Sequence, residues 1–336
     1  MKKTEFRALS VQEVVELLRQ PAPTLVLFHA RPDADAVGSA FALSLWLRAM
    51  GSEAYCVCAD EVPQHLAFLT KGLQESVLVD TVPAHLVDAR VVSVDTASPG
   101  QVGALFERYG ERFLLMIDHH GTGTPYADHL VLPKAASCGE IVFDLIAASG
   151  VDVPPRVSEL LYAAIASDTG GFRYSNTTEG THLRAAALLR SGIDAASLCR
   201  QLFETKQLAN LRAEKAGFER LHFYDGGRVA ILTFPYELQQ SMGLAEENLG
   251  TLIDVARCVA GVEVAAAIRG TKEGSFRASL RANVDFDVAA VAACFGGGGH
   301  VRAAGATLTA DTIEQAEQML YDTIMGRRGT THGETP

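Results

Sequence analysis

Three strand-like apolar runs in this chain each end on residues that can bind a cation. Residues 24–28 lead into His29, 91–94 into Asp95, and 113–117 into Asp118-His119-His120. In an open α/β sheet, ligands collect beyond the carboxyl ends of the strands, so the three endings are expected to share one crevice. Helical periodicity over 35–50, 138–149 and 155–167, with a further strand over 54–58, completes a parallel βαβ pattern. The expected fold class is α/β: a parallel-sheet domain followed by a smaller α/β domain.

The acids and imidazoles of that crevice read His29-x3-Asp33-x-Asp35, Asp95, Asp118-His119-His120 and Asp168. Four or five carboxylates in one place would repel, and some would stay protonated unless cations neutralised them. Carboxylates with a few imidazoles and no thiolate suit manganese or magnesium better than structural zinc, and paired ions in hydrolases sit roughly 3.5 to 4 Å apart. Manganese is the expected metal.

Taken singly, several of these residues have plainer readings. Asp33 and Asp35, just after Pro32, fit a helix N-cap and first turn. A lone Asp95 after a strand fits a turn, and Asp168-Thr169-Gly170-Gly171 fits a helix C-cap. An acid at 168 would nevertheless sit at a helix's negative end, where a bound cation would compensate it. Adjacent imidazoles at 119 and 120 have no common structural explanation. One can bind metal while the other contacts a phosphate or protonates a leaving oxygen.

A second signal lies near the carboxyl end, where Gly296–Gly299 precede His300. Consecutive glycines, here including Gly298 and Gly299, let backbone N–H groups approach an anion closely. His300 can stack on a base or donate to phosphate, and Arg281 can pair with phosphate bidentately.

At 336 residues the chain is long for one core, and two domains are expected. The boundaries expected are 1–195, a helical linker over 196–220 that carries charges at helical spacing, a second domain over 221–328 and a frayed tail over 329–336. Strands are expected over 228–233, 262–269 and 275–281, with helices near 244–258, 285–294 and 311–325. A net charge of −11 argues against a surface that tracks long nucleic acid, but allows a short anionic substrate. The first ten residues lack a signal peptide's apolar core, and no stretch approaches about 18 uncharged apolar residues, so a cytoplasmic protein without membrane partners is expected. Six scattered cysteines read mostly as core thiols.

Together these motifs resemble the DHH phosphoesterase family: His29/Asp33/Asp35, Asp95, Asp118-His119-His120 and Asp168 match its N-terminal motifs, and Ser279-Leu280-Arg281 with Gly296–His300 match its DHHA1 domain. The resemblance spans nearly the whole chain, which is similar to the bacterial bifunctional oligoribonuclease and pAp phosphatase subgroup. It implies an active site in an interdomain cleft, with His29, Asp33 and Asp95 on one Mn2+ and Asp35, Asp95, His119 and Asp168 on the other. Mg2+ or Co2+ would serve as substitutes. Asp95 would bridge the ions, His120 would face the scissile phosphate, and Asp118 would orient a histidine. Arg281, Gly298, Gly299 and His300 would hold the substrate's far end. The implied reaction is two-metal hydroxide attack on short RNA or DNA oligonucleotides, such as pApA-type dinucleotides, and on 3′-phosphoadenosine 5′-phosphate, by a homodimer. One departure is the Gly-Thr-Gly-Thr-Pro run after His120, where relatives often carry an Asn. Two alternatives remain. A family II-like inorganic pyrophosphatase would need several Lys or Arg to clamp a small tetraanion, and a catalytically inactive nucleotide-binding regulator would not need the intact ligand set.

Overall fold

The apolar runs lie at the centre of a six-stranded sheet. Its strands are β1 (Thr24–Leu27), β2 (Ala54–Cys58), β3 (Val77–Val79), β4 (Arg90–Val94), β5 (Phe113–Asp118) and β6 (Asp128–Val131), in the order β3-β2-β1-β4-β5-β6. Every neighbouring pair is parallel. The chain winds outward from β1 through β2 and β3, then returns to lay β4, β5 and β6 on the other side. The topological switch point therefore falls between β1 and β4. The computed structural model describes residues 6–73, 77–79 and 82–331. It divides into two units, Met1–Thr205 and Lys206–Pro336.

The central strands are apolar on both faces, as parallel strands covered from both sides must be. Leu25 and Leu27 pack with Val91, Met116, Tyr109 and Tyr126 on one face. Val26, Phe28, Val92, Val94 and Ile117 pack on the other, beneath helices Ala34–Ala49, Cys138–Ser149 and Pro155–Asp168. Helix Ala34–Ala49 is buried almost all round, down to Trp46. It approaches helix Pro155–Asp168 so closely that a Cβ on Gly38 would lie 2.5 Å from the Leu160 carbonyl oxygen.

The second unit carries β7 (Leu221–Tyr224), β8 (Val229–Phe234), β9 (Val264–Gly270), β10 (Phe276–Ala282), β11 (Gly298–His300) and β12 (Ala303–Leu308), ordered β11-β12-β10-β9-β8-β7. Only β8 and β9 run parallel; the other pairs are antiparallel. Helices Leu208–Phe218 and Leu252–Arg257 cover one face around Leu232 and Phe234, and Val288–Ala293 with Ile313–Thr331 cover the other around Ile231 and Leu280.

Several details differ from the expectations. The segment read as one connecting helix is a short helix, Ala195–Cys199, a π-turn, Arg200–Glu204, and a separate helix, Leu208–Phe218. The last helix runs through Thr331, so the first three residues of the expected frayed tail are helical; 332–336 lie outside the described residues. Cys56, Cys58 and Cys138 are core thiols, whereas Cys258 and Cys294 are exposed. Among the described residues no helix is long and apolar enough to cross a membrane.

Candidate metal centre

His29 follows β1, Asp95 follows β4, and Asp118-His119-His120 end and follow β5, so three strand ends deliver them to one place. Two helices supply the rest. Asp33 is the N-cap of helix Ala34–Ala49, with Asp35 in its first turn, and Asp168 is the last residue of helix Pro155–Asp168. Ala164, one turn before Asp168, meets both Gly38 and Gly139: a Cβ on either glycine would come within 3.0 or 2.7 Å of the alanine methyl. Small residues at the three-helix crossing thus bring Asp35 and Asp168 together.

Asp95 stands between two groups of donors. Its Oδ2 lies 3.5 Å from His29 Nε2, which is 3.7 Å from Asp33 Oδ1. Its Oδ1 lies 3.5 Å from His119 Nε2, which is 3.8 Å from Asp35 Oδ2 and 3.3 Å from Asp168 Oδ2. Within each group, His29/Asp33/Asp95 and Asp35/His119/Asp168, the candidate donor atoms lie within 4.8 Å of one another, as they do in a third set, Asp95/Asp118/His120.

The donors fit cations on three counts. Asp95 Oδ1 is buried without a hydrogen bond, an arrangement that leaves a carboxylate oxygen costly unless something else satisfies it. His29 Nδ1 lies 2.9 Å from the Ala30 carbonyl and His119 Nδ1 3.4 Å from that of Ala135, so both rings turn Nε2 toward the carboxylates, as metal-binding imidazoles do. The set contains oxygen and imidazole donors and no thiolate, which suits manganese or magnesium.

Neighbouring groups pin the ligands. Asp35 is fully buried; it accepts N–H bonds from Cys138 at 2.7 Å and Gly139 at 2.9 Å, the start of a helix that favours negative charge, and a hydroxyl bond from Ser39 at 3.0 Å. Asp118 Oδ1 sits 2.7 Å from His120 Nδ1. Asn176 donates from Nδ2 to the Asp168 carbonyl at 3.1 Å and the Ala136 carbonyl at 3.0 Å. Of the four described non-glycine residues with positive φ, Arg31 and Asp95 lie in ligand loops and Phe172 follows Asp168; strain of this kind persists where the surroundings over-determine it. Sequence reading missed Cys138, Gly139 and Asn176. The Ser137-Cys138-Gly139 helix start carries an N-cap signature, but nothing in the sequence marks Asp35 as its guest.

Without cations the charges are in conflict. Burial works against charge on His29, but Asp33 and Asp95 outweigh it and push the imidazole up to about 12. His119 behaves alike, raised to about 11 by Asp95, Asp168 and Asp35 against the penalty of burial. Burial, then the charge of Asp95, pushes Asp35 up to about 7, and burial with Asp35 and Asp33 raises Asp168 well above the carboxylate range. Asp95 shifts the other way: burial resists, but His119 and His29 hold it well below that range.

In the second unit, Arg281 on β10 and His300 on β11 both pair in register with Ala303 of the strand between them. They share one face, about 10 Å apart across two strand spacings. The glycines before His300 have a packing reason: a Cβ on Gly297 would meet the Gly305 carbonyl oxygen at 2.2 Å, and one on Gly299 the Ala303 carbonyl oxygen at 2.5 Å. Gly298 has nothing within 4 Å of a would-be Cβ.

A doubly wound sheet whose switch point gathers carboxylates and imidazoles is the arrangement of a metal-dependent α/β hydrolase. Residues 23–165 match the DHH family N-terminal domain and 228–326 match the DHHA1 domain; the chain belongs to the DHH phosphoesterase family. It is 32% identical to the bifunctional oligoribonuclease and PAP phosphatase NrnA of Thermus thermophilus, over 93% of this chain and 92% of that one. It is 27% identical to the protein of the same description from Bacillus subtilis, over 96% and 97%. Among solved structures, an exopolyphosphatase-related protein from Bacteroides fragilis shares the fold, with a TM-score of 0.86 at 21% identity over 95% of this chain and 96% of that one.

Proposed function

We propose that the chain is a manganese-dependent phosphoesterase that hydrolyses short oligonucleotides to mononucleotides, and 3′-phosphoadenosine 5′-phosphate to AMP. The observation that carries this reading is Asp95, whose two oxygens face different donor groups, Oδ2 toward His29 and Oδ1 toward His119. His29, Asp33 and Asp95 would hold one cation, and Asp35, Asp95, His119 and Asp168 the other. When bound, such ions supply Lewis acidity that polarises the phosphate and activates water.

The chain's own groups do the remaining work. Asp118 holds the Nδ1 side of His120 at 2.7 Å and supports charge on the ring, so His120 can deliver a proton to the departing oxygen. Burial and the carboxyl of Asp118 act oppositely on His120, and the carboxyl wins: its pKa is raised, which favours the acid role. Arg281 and His300 offer a bidentate cation and a planar ring for the substrate's remaining phosphate or base. The named activity of the Thermus and Bacillus relatives supports this substrate class. A homodimer, expected from the family, is part of the reading, and sedimentation velocity at several concentrations checks it.

The test compares rates, with Mn2+ supplied, on a 5′-phosphorylated RNA dinucleotide, a 24-mer, 3′-phosphoadenosine 5′-phosphate and pyrophosphate. Rapid release of mononucleotides from the dinucleotide, with the 24-mer slow, is expected. Hydrolysis of pyrophosphate alone would replace the reading with a pyrophosphatase, and silence on all four would leave a binding protein.

A further inference from the structure

We propose that Gln101 is a positioning residue that locks the His29 and Asp95 loops to each other, so that cation binding at the subsites sharing Asp95 depends on it. The inference rests on the two-cation reading above and adds a residue that touches neither ion nor substrate.

Gln101 lies in the short helix Pro99–Val102, just after β4 and the Asp95 loop. Its side-chain Oε1 accepts the N–H of Ala97 at 2.5 Å and of Ser98 at 3.2 Å, closing the loop that begins at Asp95. Its backbone carbonyl accepts the N–H of Ala30 at 2.8 Å, the residue after His29. One residue therefore grips both sides of the topological switch point.

Both loops need such a grip. Asp95 and Arg31 each sit at φ 55°, a region that a non-glycine residue holds only when its surroundings compel it. Arg31 is fixed by its N–H donating to Asp60 Oδ2 at 2.7 Å. The Asp95 loop is fixed on its far side by the Ala97 carbonyl, which accepts the Thr124 N–H at 2.9 Å. Gln101 is the link between these two clamps.

The test is titration of the full-length, chelator-stripped protein with Mn2+ alone, followed by calorimetry and by the electron paramagnetic resonance of free Mn2+. Gln101→Met keeps the volume and removes the acceptor, whereas Gln101→Glu keeps the acceptor. Gln101→Met loosens the loop that carries Asp95, the ligand both cations would share, so both Mn2+ equivalents should weaken, by about tenfold, the lower end of what direct partners of metal ligands contribute. Gln101→Glu should restore it. A merely structural role would lower the melting temperature and leave the Mn2+ affinity of the folded protein unchanged. If Gln101→Met cannot be folded, Gln101→Asn, which withdraws the same amide by one methylene, should show the same loss of Mn2+ affinity. Wild-type affinity at both sites in Gln101→Met or Gln101→Asn overturns the proposal. Failure of the unsubstituted protein to bind Mn2+ would overturn the metal reading beneath it.

Discussion

Asp95 concentrates the chemistry of this site at one residue. It is buried, its backbone is held at φ 55°, and its two oxygens face two donor groups. Asp95→Asn keeps the shape but removes the charge shared by both proposed cations. Because even outer partners of a metal contribute 10- to 100-fold, turnover should fall by more than about 100-fold, measured with saturating Mn2+; a rate within a few fold of wild type would contradict the bridging role. The imidazoles give a second prediction. With pKa values pushed up to about 12 and 11, His29 and His119 carry protons at neutral pH in the cation-free protein, and must lose them to ligate. Mn2+ binding at pH 7 should therefore release protons and tighten as pH rises, as read by calorimetry in buffers of different ionisation enthalpy. Binding independent of buffer would contradict this. For cation-free stability the sign is opposite: the raised histidines contribute fully below their ordinary 6.5, and that contribution is lost as pH climbs through 11 to 12. At this scale the donors were legible because each stands at the end of an apolar run or in a helix's first or last turn. The groups that aim them were not: Gln101, Asn176 and the Cys138-Gly139 amides act through contacts distant in sequence or through a turn's geometry.

Among the elements, the crossing of helices Ala34–Ala49, Cys138–Ser149 and Pro155–Asp168 sets how far Asp35 lies from Asp168. Gly38→Ala would drive a methyl to 2.5 Å from a backbone carbonyl that cannot swing away. Overpacking of this kind typically destabilises by about 1–3 kcal/mol, so the melting temperature should fall by several degrees and Mn2+ affinity should weaken with it. An unchanged melting curve would show that the helices part freely. The strands that carry ligands were legible as continuous buried apolar runs. The short edge strands β6, β7 and β11 were not, because half-exposed residues such as His129, Phe223 and Gly298 dilute the pattern. The connecting segment misled for a related reason: charges at helical spacing say a helix is tolerated, but not that it is continuous. Here the helix breaks at residues 205–207, between a π-turn and a helix that exposes Leu208 and Leu211.

Across the whole molecule, the parallel first sheet gathers ligands at one switch point, and the mostly antiparallel second sheet lines up Arg281 and His300 across a shared partner. The α/β class of both units was legible, but the antiparallel pairing of the second was not, since alternating small residues such as those of β12 are read equally well as loop. Hydrogen bonds to a charged partner are worth about 1.5–3 kcal/mol, so Arg281→Ala should raise KM for a dinucleotide by roughly tenfold or more while leaving Mn2+ binding unchanged; an unaltered KM would remove Arg281 from substrate recognition. Anomalous diffraction from crystals grown with Mn2+ would locate the pair of cations proposed to share Asp95. Two peaks about 3.5 to 4 Å apart, one among His29, Asp33 and Asp95 and the other among Asp35, His119 and Asp168, are predicted. A single peak away from Asp95, or none at these residues, would contradict it.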